Sequence, residues 1–215
     1  MTFSALAVIL IYAVAVPLPG PSFVAVSRAT IANGRMVGAC AALGVTLAAA
    51  IYAVSALLGI SALLTAFPWV ITMIQIGGGI YLITLGAALL RSHFRAADNT
   101  LEPSQHSRSN IDTARLKDAL SKGFAVTIGN PKMAVFFFGL FAPVAGQAVP
   151  TEIRLMVLLG IIAVDLIYHQ LLAQFMAFMA QSDGARHLTY WLDAVAGALM
   201  AIFGGGLLFS AIGIT

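Results

Sequence analysis

Two charged side chains of opposite sign lie deep inside apolar stretches of this sequence. Lys132 comes ten residues after Lys122, within a run ending in Phe136-Phe137-Phe138. At a helical rise that is on the order of 15 Å beyond Lys122. Asp165 is the one carboxylate well inside an apolar stretch, eleven residues after Arg154 and reached from the other side. His169 follows one turn later, on the same helix face. A charge in hydrocarbon costs at least roughly 2.5–3.5 kcal/mol unless it is paired or hydrated, and a lysine stem snorkels over only part of that depth. Lys132 and Asp165 are therefore expected in a hydrated cavity. They could form a structural ion pair, or bind opposite ends of a zwitterion, and Asp165 could carry a coupling proton. Tyr52, Gln75, Tyr168 and Gln170 are further polar groups in apolar stretches, each uninformative alone.

Two proline clusters lie near these charges. Pro17-Leu18-Pro19-Gly20-Pro21 removes three backbone donors from the first apolar stretch. Gly129-Asn130-Pro131 interrupts the fourth, immediately before Lys132. Lipid cannot satisfy the carbonyls freed by such breaks, so they must face protein or water. Broken helices of this kind expose backbone dipoles to a solute in membrane transporters. The candidate substrate-binding set is Pro19, Gly20, Pro21, Asn130, Pro131, Lys132 and Asp165. No metal or cofactor is expected: the single cysteine, Cys40, makes neither a disulfide nor a zinc cluster.

The elements that must hold these residues follow from composition. Of 215 residues, 60% are hydrophobic and 9% charged, against roughly 25% charged in soluble domains. A bilayer is the solvent that accommodates such a chain. Six stretches approach or exceed the ~20 apolar residues of a spanning helix: Phe3–Ser27, Met36–Leu64, Pro68–Leu90, Gly123–Ala145, Leu155–Ala180 and Trp191–Ile214. No Lys or Arg precedes Arg28, so the first stretch lacks the positive region of a signal peptide and is expected to be retained. Residues 96–110 read as a disordered loop, and 111–122 as either a short interfacial helix or a solvated connector. Arg28, Arg35, Arg91, Arg95, Arg108, Arg115, Lys117, Lys122 and Arg186 fall in one set of loops, and Arg154 alone in the other. The positive-inside rule then places residues 91–122 in the cytoplasm and both termini outside. No dense basic run suggests nucleic acid as a partner.

The two halves resemble each other. Ala15-Val16 with Pro19-Gly20-Pro21 matches Ala125-Val126 with Gly129-Asn130-Pro131. Gly77-Gly78-Gly79 with Gly86 matches Gly204-Gly205-Gly206 with Gly213. Two units of three spans each place the second upside down, the inverted-repeat plan of many secondary transporters. The expected fold is all-α: a single polytopic transmembrane domain of six helices, with helices one and four broken. Residues 1–90 form one repeat, 91–122 the cytoplasmic loop and 123–215 the second repeat.

Pro19-Gly20-Pro21, Gly34-Arg35 with Gly38, Gly44 and Gly59, Gly123-Phe124, Asn130-Pro131-Lys132 and Phe136-Phe137-Phe138 together make the sequence similar to the lysine/threonine exporter family of small bacterial efflux permeases. The resemblance covers essentially the whole chain. It implies an ion-driven exporter of amino acids or related small metabolites in the inner membrane. Many members of that family carry a Gly-Asp pair in span two, where this chain has Ala48-Ala49. The expected partners are a small-molecule substrate, a coupling ion such as a proton, and the lipid bilayer; the plan is compatible with a homo-oligomer. A passive channel is the alternative, though it would want rings of like charge or carbonyl filters. An intramembrane enzyme fits less well, because no H-E-x-x-H motif is present and one carboxylate is too few for a paired acid site.

Overall fold

A computed structural model describes residues 5–60, 67–98, 113–141, 149–181 and 185–212. Among the described residues the chain is helical, with no strand. The proline clusters set the local structure. Helix α1 (Ala5–Ala15) ends just before Pro17, and its last turn closes through Leu18 N–H to the Ala15 carbonyl at 3.2 Å. Gly20 is extended, and Pro21 opens α2 (Pro21–Asn33) in the first helical turn, where a missing N–H costs nothing. Gly34 ends α2 at φ 89°, a backbone geometry that side chains disfavour. Helix α3 (Arg35–Ser55) runs on into a π-helical turn, Ala56–Ile60. Helix α4 spans Pro68–Asp98. Helix α5 (Thr113–Ile128) stops at Gly129-Asn130, and α6 (Pro131–Phe141) continues at 59° to it. Asn130 caps α6, its Oδ1 accepting from the Lys132 N–H at 3.0 Å. Helices α7 (Thr151–Met179) and α8 (Ala185–Ala211) complete the chain.

Four segments are long and apolar enough to cross a membrane: Arg35–Leu58, Thr72–Arg91, Thr151–Met179 and Ala194–Ala211. The bent pair α5–α6 makes a fifth. The first apolar stretch is divided by its prolines, and α1 alone, at 11 residues, is too short to span. Residues 113–122 are helical and run on without a break into the fourth stretch as the opening turns of α5. One boundary departs from expectation. Ala96–Asp98 close α4, while the remainder of the expected loop, 99–110, lies outside the described residues.

Helix α4 packs along α8, α3 against α5 and α7, and α1 against α7. Glycines set these close approaches. A Cβ on Gly44 of α3 would lie 2.0 Å from the Leu120 carbonyl oxygen of α5, and one on Gly123 would lie 2.1 Å from the Ala41 oxygen. Between α4 and α8, Gly79 meets Gly204 and Gly86 meets Gly197, so the two helices run antiparallel. Small residues let backbones approach where no hydrophobic force drives helices together in lipid. The glycine rows noted in sequence thus lie on the faces where α4 and α8 meet, Gly204 against Gly79 and Gly197 against Gly86. Gly213 lies outside the described residues.

One buried cluster joins α1, α3, α6 and α7 through Tyr12, Ala49, Phe137 and Ile161. A second joins α2, α3, α5 and α7 through Val26, Ala41, Ala119 and Met176. Large apolar side chains such as Leu6, Leu159, Phe178 and Phe209 stay exposed, as a lipid-facing surface requires.

Candidate functional site

The two helix breaks meet. Ser22, at the start of α2, shares a 2.9 Å hydrogen bond with Thr127, at the end of α5. The carbonyls that the breaks release find side-chain donors. Tyr52 O–H donates to the Ile128 oxygen at 2.6 Å, Tyr168 O–H to Pro17 at 3.5 Å, and Lys132 Nζ to Leu18 at 3.5 Å. The last two are long, so those carbonyls keep most of their accepting capacity. Beside the breaks lies a cavity of about 570 Å³, walled by parts of α1, α2, α3, α6, α7 and α8. Gly20, Asn130, Lys132 and Asp165 line it. Pro19 and Pro21 do not. They shape the break that brings Gly20 to the cavity, and Pro131 opens the helix that carries Lys132.

Asp165 has no exposed surface, and its carboxylate is held by neighbours from three helices. Tyr12 of α1 donates to Oδ1 at 2.5 Å and Thr46 of α3 to Oδ2 at 2.7 Å. His169 Nδ1 lies 3.3 Å from Oδ2 and 3.0 Å from the Asp165 backbone oxygen. Tyr12 is fixed in turn by packing on Phe136 and Phe137.

Lys132 is half-buried on the same cavity, and its ammonium sits 4.8 Å from the centre of the Phe203 ring. Among the described residues it has no carboxylate partner. The Lys132–Asp165 ion pair considered from sequence is not formed. Both groups reach one cavity, yet each is stabilised separately, Asp165 by neutral donors and His169, Lys132 by a ring face and a carbonyl. Among the described residues no group of His, Cys, Asp and Glu could hold a metal.

The model of the LysE type translocator family matches residues 13–211. This chain belongs to that family. It is a translocator and not an enzyme, and the exposed apolar faces of its helices are those of a multi-pass membrane protein. It is 30% identical to the threonine efflux protein of Escherichia coli (strain K12), over 95% of this chain and 97% of that one. It is 30% identical to the threonine efflux protein of Salmonella typhi, over 94% and 96%, and 25% identical to the uncharacterized membrane protein YahN of Escherichia coli (strain K12), over 90% and 84%. No solved structure matches.

Two residues that hold the Asp165 carboxylate of this translocator escaped sequence reasoning: Tyr12 and Thr46. Tyr12 is the only hydroxyl in the apolar run of α1, which was the available signal. Thr46 gave none, because a helical threonine satisfies its own hydroxyl on a preceding carbonyl. Gln170 ties α7 to the Ala39 carbonyl of α3 at 3.1 Å. Gln75 does not line the cavity. Ala48 and Ala49 are buried one turn from Thr46, so the position where the resemblance would put an acid is filled by packed methyl groups.

Proposed function

We propose that this translocator is an ion-coupled secondary exporter of amino acids or related small polar metabolites, resident in the bacterial inner membrane. The observation that carries the reading is one cavity between two broken helices, holding an ammonium without a carboxylate partner and a carboxylate caged by three donors. The ammonium of Lys132 recruits a substrate carboxylate, and Asn130 beside it lends its side-chain amide. The Leu18 carbonyl, only weakly engaged, accepts from the substrate's amine. Asp165 with His169 takes the coupling ion, a proton, and supplies from α7 the acid that the family resemblance would place at Ala49. The names of the threonine efflux relatives agree with an amino-acid cargo and with export as the direction.

Architecturally, the proposal assigns six spans as two inverted repeats, 1–90 and 123–215, joined by a cytoplasmic segment 91–122, with both termini outside. Here α1–α2 act together as span one and α5–α6 as span four. The packing supports this pairing. A two-fold exchange of repeats maps the α3–α5 contact onto α7–α1, maps α2–α8 onto α6–α4, and leaves α3–α7 and α4–α8 as self-paired contacts; all of these pairs pack.

The test is efflux of an amino-acid panel from preloaded proteoliposomes, with and without an imposed proton gradient. Coupled export shows efflux against a concentration gradient, abolished by an ionophore. Efflux that only ever runs downhill, indifferent to the ionophore, overturns coupling in favour of a passive pore.

A further inference from the structure

We infer that the cavity selects amino acids with apolar side chains, aliphatic or aromatic, over those with hydroxylated or cationic ones. The inference rests on the amino-acid reading above and concerns the part of the substrate that reading leaves unassigned.

Polar groups with capacity to spare gather at the breaks. Asn130 is 2% exposed and lines the cavity, its Oδ1 accepting from the Lys132 N–H. Together with Lys132 Nζ and the Leu18 carbonyl, it matches the carboxylate and ammonium that every amino acid shares. These groups therefore cannot distinguish one amino acid from another.

Discrimination falls to the rest of the wall. Met133, Val135 and Phe136 of α6 face the cavity, with Phe203 and Leu207 of α8. None of these side chains offers a hydrogen bond beyond weak contacts to sulfur. The hydroxyls nearby already have partners: Tyr12 donates to Asp165, and Ser22 shares a hydrogen bond with Thr127 in which either can be the donor. Asp165 is already engaged by Tyr12, Thr46 and His169, which compete with a cationic side chain for its carboxylate. A side-chain hydroxyl leaving water for this wall loses hydrogen bonds that nothing replaces. A methyl group or ring in the same place is transferred favourably.

Valine and threonine isolate the effect, being nearly the same shape and differing by a methyl for a hydroxyl. Hydrophobic sites separate such a pair by roughly tenfold to a hundredfold. The experiment preloads proteoliposomes of the full-length protein with labelled valine, threonine and lysine in parallel and compares initial efflux rates at subsaturating concentration. Valine should leave at least ~10-fold faster than threonine, with lysine slower still. Threonine or lysine equal to valine overturns the inference and leaves amino-acid export standing. No efflux of any amino acid, from correctly inserted protein, overturns both. In Leu207→Ser the valine-to-threonine ratio should fall toward unity, and an unchanged ratio counts against the wall as its source. If that variant does not insert, the thermal stability of the wild-type protein in detergent reads the same preference: valine should raise it at concentrations where threonine does not, and equal stabilisation overturns the inference.

Discussion

Replacing Tyr12 by Phe removes one oxygen from a site whose surroundings are otherwise kept. The ring still packs on Phe136 and Phe137, with centroids 5.9 and 5.5 Å away. What is lost is the 2.5 Å hydrogen bond to Asp165 Oδ1, the one side-chain donor that oxygen has. Thr46 and His169 both approach Oδ2. A hydrogen bond to a charged group contributes about 1.5–3 kcal/mol, and a neutral one about 0.5–1.5. Tyr12→Phe should therefore destabilise by ~1.5–3 kcal/mol while Asp165 is ionised, and by the smaller amount once it has taken a proton. Reversible unfolding in mixed micelles, at alkaline and acidic pH, reads the two values. In an Asp165→Asn background the substitution should cost less, with a coupling energy within the roughly 0.5–3 kcal/mol found for groups in direct contact. The reasoning fails if the cost stays under about 0.5 kcal/mol at every pH or is the same in the Asn background. Either result would mean that Tyr12 does not hold a carboxylate, and Asp165 would lose its claim to the coupling ion.

Lys132→Ala should abolish efflux at unchanged membrane abundance, and Lys132→Arg should restore only part of it, because a planar guanidinium fork does not replace a point charge; wild-type flux from the alanine protein would remove Lys132 from the site. Asp165→Asn should change how efflux rates vary with pH, and a superimposable profile would argue for a purely structural aspartate. Gly123→Leu places a Cβ 2.1 Å from the Ala41 oxygen and should destabilise by ~1–3 kcal/mol or more through overpacking, whereas Gly205→Ala, whose Cβ meets nothing within 4 Å, should stay within about 0.5 kcal/mol of the parent. In a Cys40→Ala background, Ser104→Cys and Thr215→Cys should label from opposite faces of the membrane in intact cells; labelling from one face refutes six spans.

The breaks were legible because proline acts locally. A missing N–H and a clash with the preceding turn need no knowledge of the rest of the fold, so Pro17–Pro21 and Asn130-Pro131 could be located to within a residue or two. Depth was legible for the same reason: counting residues along a helix gives distance from its end. Counting along a helix does not show what faces a side chain across it. The alternative of a Lys132–Asp165 ion pair weighed only charged groups as partners. Tyr12, from 153 positions away in sequence, and Thr46, from 119, satisfy the carboxylate instead, and neither hydroxyl signals its target in sequence. The glycine rows were legible as small-residue faces, but not which glycines would touch. Contact is decided by where two antiparallel helices cross, at Gly79–Gly204 and Gly86–Gly197.

The separation of the two charges bears on how a carrier of this build works. Had Lys132 and Asp165 been paired, a substrate would have to break a buried ion pair before binding, leaving each partner uncompensated at a cost of several kcal/mol. The observed arrangement avoids that step. Asp165 keeps its three donors whether or not the cavity is filled, so a proton can come and go there without disturbing the groups that grip the substrate. Lys132 meets only the Phe203 ring and the distant Leu18 carbonyl. Both are weak neighbours for an ammonium inside a membrane, and a carboxylate improves on either. On the proposed reading, a substrate carboxylate supplies the counter-charge that Lys132 lacks among the described residues. Release then requires water to replace the substrate at Lys132, which makes hydration of the cavity, and not rupture of a protein ion pair, the event that ends each export cycle.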